Sequence, residues 1–238
     1  RKPVFIPIQD DNPLRAIPFQ YVTVGLVVLN VIIFLIEMTG LDDRVVASFA
    51  IVPVELLRAG IVGPGGGTGV NDVVAVPERL TLLSYMFFHG DVMHLVGNML
   101  FLWVFGDNVE DAMGHLKFLV FYLLCGIVAG LTHTLIAPTS DIPLIGASGA
   151  VAGVIAAYLM LHPKVQVWVL ALKVIPLRIS AAVVLGIWIL TQIVMVVLPQ
   201  VGPVAWWAHI GGLIAGALLV LVMRRPGVPL FDRGLGAG

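Results

Sequence analysis

The chain alternates between apolar runs close to 20 residues long and short polar stretches that hold nearly all of its charge. A helix needs about 20 mostly apolar residues to cross the hydrocarbon core of a bilayer. Runs at 19–38, 116–137, 144–161, 179–198 and 204–223 meet or approach that length. A sixth, at about 93–105, is shorter, and His89, Asp91 and His94 make its start polar, so that end needs protein rather than lipid around it. Only 11% of the 238 residues are charged, against about 25% in soluble domains. The pattern predicts an all-α, polytopic membrane protein with six transmembrane helices in one bundle.

Residues 1–18 read as a cytoplasmic N-terminal segment, 19–223 as the membrane domain and 224–238 as a cytoplasmic tail. Residues 42–82 form an outer loop that includes a Gly-rich tract at 63–69. With the N-terminus in the cytoplasm, ten of the 13 Lys and Arg residues fall on the cytoplasmic side, leaving Arg44, Arg58 and Arg79 outside. That matches the positive-inside rule and puts both termini in the cytoplasm. The sequence does not open on Met, and its first 20 residues, with several prolines and charges, do not resemble a cleavable signal peptide. The plasma (inner) membrane is the expected location. A formal net charge of −1 points to no nucleic-acid partner. The lone Cys125, inside an apolar run, reads as a packing residue. The segment 162–178 is long for a turn, and Val165-Gln166-Val167 alternates as a strand would; the sequence leaves it undecided.

Three pairs of glycines four residues apart, Gly126 with Gly130, Gly149 with Gly153 and Gly212 with Gly216, lie on single helix faces. Such faces let backbones approach where burial from water supplies no drive for association. Two of the pairs directly follow polar residues, Ser148 and His209. Polar side chains at membrane depth are costly and are functional candidates by default.

Ser148 stands in GASGAVAG at the outer start of the fourth span. It is either a packing serine bonded to its own helix or a nucleophile at a helix N-terminus, where unpaired N–H groups favour developing negative charge. His209, early in the sixth span, is either a hydrogen-bonding partner for a neighbouring helix or a general base for a serine. His94 and Asn98 share a helix face at i, i+4 and offer donors to an oxyanion. His89 lies near enough to suggest a metal, but Asn is a poor zinc ligand and no H-E-x-x-H is present, so no metal or other cofactor is expected. His115 and His133 read as interfacial or structural.

No Asp or Glu occurs between Asp141 and Asp232. The helices bearing Ser148 and His209 therefore supply no carboxylate to orient the imidazole. Asp141 is near the same membrane face but in a loop. A dyad lacking a third orienting group, and slow for that reason, is the expectation.

GASGAVAG around Ser148, AHIGGLIAG around His209 and HLVGN around His94 together resemble the rhomboid family of intramembrane serine proteases, in its bacterial-type, six-helix form. FFHG at 87–90 and Glu110 with Gly114 in GDNVEDAMG extend the resemblance, which covers about 79–223. It implies a rhomboid-like bundle with a catalytic site sunk below the outer surface and wetted from that side. Ser148 would be the nucleophile and His209 the base, with His94, Asn98 and the backbone around Gly146, Ala147 and Ser148 holding the oxyanion. Substrates would be single-span transmembrane proteins, met in the lipid bilayer. The span from Ile179 and the segment 198–204 would form a mobile gate.

Two features depart from the family pattern. Some members place an aromatic residue four positions after the nucleophile to stack on the histidine, but Ala152 stands there, and Trp206 and Trp207 are too close along the helix to lie over His209. The first outer loop also has no clear Trp-Arg pair. Two other functions fit the sequence, a proteolytically silent scaffold that binds membrane helices and, less well, a small-solute transporter.

Overall fold

A computed structural model describes residues 5–59, 73–171, 175–198 and 205–232. The Gly-rich tract at 63–69 and most of the expected gate segment 198–204 lie outside the described residues. Helices α1 (Tyr21–Glu37), α2 (Asp43–Ala47), α3 (Pro53–Ala59), α4 (Glu78–Ser84), α5 (Val92–Met113), α6 (His115–Ile136), α7 (Ser148–Leu161), α8 (Ala181–Val197) and α9 (Trp206–Met223) are joined by three strands. These are β1 (Phe5–Asp10), β2 (Gln166–Ala171) and β3 (Ile175–Ser180). Among the described residues α5, α6 and α9 are long and apolar enough to cross a membrane, while α1, α7 and α8 are apolar but shorter. The result is a polytopic helical bundle with a small sheet at one end.

Helix α7 is the hub. Every residue from Gly149 to Tyr158 is buried, as expected of a helix that is apolar all round. It meets α9 backbone to backbone. A Cβ on Gly212 would lie 1.9 Å from the carbonyl oxygen of Gly149, and one on Gly216 would lie 2.2 Å from that of Gly153. The paired glycines thus set the distance between the helices that carry Ser148 and His209. Gly126 and Gly130 on α6 serve a different neighbour. Their missing side chains make room for Met86 and Ile51 from the segment between α1 and α5. Ile51 also bridges its backbone to Leu144 in the α6–α7 loop, with N···O distances of 2.8 and 3.1 Å.

Helix α5 runs to Met113, well past the apolar run at 93–105. Its polar last turns are spent on the N-terminal segment instead of forming a loop. Buried Glu110 accepts from the Val22 N–H at 3.0 Å, the Thr23 N–H at 2.8 Å and the Thr23 hydroxyl at 2.7 Å. It thereby caps the start of α1, whose own N-cap residue Gln20 makes no side-chain bond. Asp111 accepts from the N–H groups of Arg15, Ala16 and Ile17, and Asn108 pairs with Asn12. His115 contacts Glu110 at 2.5 Å, a structural role. Gly114 ends the helix at φ +87°, and a Cβ there would lie 2.9 Å from the Arg225 guanidinium.

The alternating segment near 165–167 is a strand. Buried Val167 and Val169 turn inward while Trp168 between them is exposed. β2 pairs antiparallel with β3, Val167 opposite Ile179, and with β1, Asp10 opposite Val167. The register shifts between Pro7 and Gln9, at an edge strand where a proline without an N–H is tolerated. Tyr158 donates to Asp10, and Arg178 donates to Asp11 at 2.8 Å. Asp232 accepts from the Lys164 N–H at 2.9 Å and meets His162 at 3.2 Å. The chain segments nearest the two termini are therefore tied to one end of the bundle, leaving the other end to the polar residues singled out from the sequence.

Candidate active site

Three helix starts converge at the end of the bundle opposite the sheet. Ser148 is the first residue of α7, and α9 opens at Trp206, three residues before His209. α5 opens at Val92 under an Asp91 cap whose side chain accepts from the His94 N–H at 2.8 Å. A rise of about 1.5 Å per residue makes the 14-residue α7 about 21 Å long, short of a hydrocarbon core of about 30 Å. Its starting residue Ser148 is half-buried.

The Ser148 hydroxyl lies 2.8 Å from Nε2 of His209. The other ring nitrogen, Nδ1, lies 2.7 Å from Oε1 of Gln192 on α8. The imidazole is buried, and its ring is bounded by Trp188 at a centroid distance of 6.0 Å and by Trp206, edge-on, at 5.9 Å. Two expectations are corrected here. The imidazole does have a third partner, an amide instead of a carboxylate; Asp141 is exposed in its loop. Trp206 does contact the ring, because three residues of separation on a helix share a face. Trp188 supplies a second wall that Ala152 cannot.

Ser148, His209, His94 and Asn98 line one cavity of about 720 Å³. Its other walls include Phe101, Ile155 and Trp188, apolar surfaces around a small set of convergent polar groups. Asn98 is buried, and its Nδ2 has no hydrogen-bond partner in the protein. An unpaired buried amide costs free energy, and an acceptor arriving in the cavity would satisfy it. His94 reaches over Gly146, where a Cβ would lie 2.6 Å from its Cε1 and Nε2. Gly146 takes φ +122°, and its N–H donates to the Tyr85 carbonyl at 2.9 Å. Its contribution is conformation and space, and its N–H is not free for an oxyanion. Ala147 is the buried N-cap residue of α7, which no side chain caps. His89 packs edge-on against His94 at 5.0 Å.

The sequence reasoning missed Gln192. Its signal was a strongly polar amide inside the run at 179–198, the same signal that singled out Ser148 and His209.

Comparison with known proteins places this arrangement in context. The Rhomboid domain family model matches residues 77–226. RHOMBOID-like protein 6, mitochondrial, of Arabidopsis thaliana is 28% identical over 223 residues, covering 85% of this chain and 68% of the relative. RHOMBOID-like protein 4 of the same plant is 34% identical over 162 residues, 66% of this chain and 37% of the relative. Rhomboid protein 1, mitochondrial, of Saccharomyces cerevisiae is 31% identical over 100 residues, 40% of this chain and 29% of the relative. The chain thus spans about two thirds of the first of these relatives and well under half of the other two.

Proposed function

The chain belongs to the rhomboid family, and on that premise we propose that it is an intramembrane serine endopeptidase that cleaves transmembrane helices of membrane-protein substrates. The observation that carries this reading is the 2.8 Å contact between the Ser148 hydroxyl and His209 Nε2, at the start of a short helix and on the wall of one cavity. Serine is a weak nucleophile until a base takes its proton. In the reaction Ser148 Oγ attacks the scissile carbonyl as its proton passes to His209 Nε2. The tetrahedral oxyanion is held by Asn98 Nδ2, by His94 and by the uncapped N–H of Ser148. The C–N bond then breaks, His209 returns the proton to the leaving amine, and a water molecule repeats the sequence on the acyl-enzyme. The unpartnered amide of Asn98 supports its role as oxyanion donor.

A helix hides its carbonyls in i→i−4 bonds, so the substrate must unwind locally to present one to Ser148. Single-span proteins with small or helix-destabilising residues at the cut fit that requirement. The three long and three shorter apolar helices among the described residues support six spans within 19–223, proposed to lie in the plasma (inner) membrane. Lys and Arg asymmetry supports an orientation with the sheet end and both termini cytoplasmic and the cavity on the outer side.

Purified protein in liposomes with a single-span fluorescent reporter tests the reading. Wild type cleaves, and Ser148→Ala and His209→Ala do not while keeping the wild-type melting temperature. Cleavage by Ser148→Ala at the wild-type rate would overturn it.

A further inference from the structure

Helix α8 turns an apolar back outward. Ile187, Leu190, Ile193, Val194 and Val197 are exposed, and only Ala181, Leu185 and Gln192 are buried. An amide among the three inward-facing positions of an otherwise apolar helix is costly unless it is used. Gln192 is 4% exposed, and both ends of its amide are engaged. Nε2 donates to the Trp188 carbonyl at 3.0 Å, while Oε1 faces His209 Nδ1 at 2.7 Å.

The orientation of this amide follows from its partners. A backbone carbonyl only accepts, so the group facing Trp188 must be the NH₂ and the group facing His209 must be the oxygen. An oxygen opposite Nδ1 requires that nitrogen to carry the proton. Nε2 is then left with a lone pair, 2.8 Å from the Ser148 hydroxyl. A neutral histidine with the opposite tautomer would present a proton to Ser148 and could not act as its base.

We infer that Gln192 is a positioning residue for the reaction: through Nδ1 it fixes the tautomer and ring orientation in which His209 can accept the Ser148 proton. The inference rests on the protease reading and deepens it. It also answers the chemical problem set by the 90-residue stretch between Asp141 and Asp232 without Asp or Glu. The amide supplies the orienting bond that a carboxylate supplies in a soluble triad, without the full negative charge that would stabilise the imidazolium. Because the acceptor sits on α8 and the imidazole on α9, His209 is correctly set only while α8 is docked against α9.

Gln192→Met keeps length and removes the acceptor, while Gln192→Glu, as the neutral acid, keeps an acceptor oxygen for Nδ1 and an O–H donor for the Trp188 carbonyl. Losing a hydrogen bond to a group that becomes charged in the transition state lowers kcat by about 10- to 100-fold. In the liposome assay Gln192→Met is expected to show that fall with KM unchanged, and Gln192→Glu to return kcat close to the wild-type value. Wild-type kcat in Gln192→Met, or equal losses in both variants, would overturn the assignment. A second readout does not depend on cleavage. In ¹⁵N-histidine-labelled protein, with the His209 signals identified by their absence in His209→Ala, Nδ1 is expected to be protonated and Nε2 bare, and Gln192→Met to lose that preference. The opposite tautomer in the wild type, or no change in the Met variant, would overturn the inference. If the wild type fails to cleave while the tautomer is as stated, the protease reading falls and takes the catalytic role of Gln192 with it, leaving only the pairing.

Discussion

Gly212→Ala should damage the candidate site without touching any of its polar groups. Its added Cβ would sit 1.9 Å from the Gly149 carbonyl oxygen and 2.9 Å from the Gly149 carbonyl carbon. Both obstacles are backbone, on the residue after Ser148, so no side chain can swing aside. Restoring a carbon–oxygen contact of about 3.3 Å requires the helices to part by roughly 1.4 Å. If that movement is taken up between α7 and α9, the Ser148–His209 contact of 2.8 Å opens to about 4 Å, beyond hydrogen-bond range. A misplacement of about 1 Å can cost about 100-fold in rate, and overpacking typically costs about 1–3 kcal/mol of stability. The assay is initial cleavage rate of the single-span reporter in liposomes, alongside the melting temperature in detergent. Gly25→Ala on α1, where a Cβ meets nothing within 4 Å, is the control for the substitution type and should cleave normally. A Gly212→Ala protein that cleaves at the wild-type rate would refute the argument that direct backbone contact between α7 and α9 sets the distance from Ser148 to His209.

Asn98→Ala is expected to lose about 2.7–4 kcal/mol of transition-state stabilisation, read as kcat in the same assay, if its unpartnered Nδ2 meets the oxyanion. An unchanged rate would assign that charge to other donors. At the sheet end, burial is the main cause that pushes the Asp10 carboxyl up from 3.8 to about 7, with nearby Asp107 adding to it and the Tyr158 hydroxyl opposing it. The folded state then holds this proton more tightly than the unfolded chain, so its stabilising share is full below about pH 4, declines as pH rises toward 7 and is flat above. Burial acts on His162 in the opposite sense, lowering it against the pull of Asp232, so the wild-type profile alone mixes several groups. The difference in melting temperature between wild type and Asp10→Asn isolates Asp10. It should shift in favour of the Asn variant between pH 5 and pH 8, and a constant difference would contradict the assignment.

Ser148, His209, His94 and Asn98 were legible because they are polar in stretches where polarity is expensive. The glycine pairs beside Ser148 and His209 were legible because only a missing Cβ permits the approach now seen between α7 and α9. Gln192 carried the same kind of signal, but it belongs to no motif, and its partner lies on the next helix. The length of α5 was hidden because Asn108, Glu110 and Asp111 look like loop residues until Asn12, Thr23 and the 15–17 backbone come to meet them. The sheet was hidden for a related reason. β1 finds its partner about 160 residues along the chain, and local alternation cannot report a pairing at that distance.

A hydroxyl activated in a cavity reached by water should react with a small fluorophosphonate whether or not a substrate helix is present. Mass spectrometry of the labelled protein is expected to place the adduct on Ser148, with none formed in Ser148→Ala and much slower labelling in His209→Ala. An unlabelled Ser148 under conditions that label a soluble serine hydrolase, or an adduct that persists in Ser148→Ala, would contradict the account.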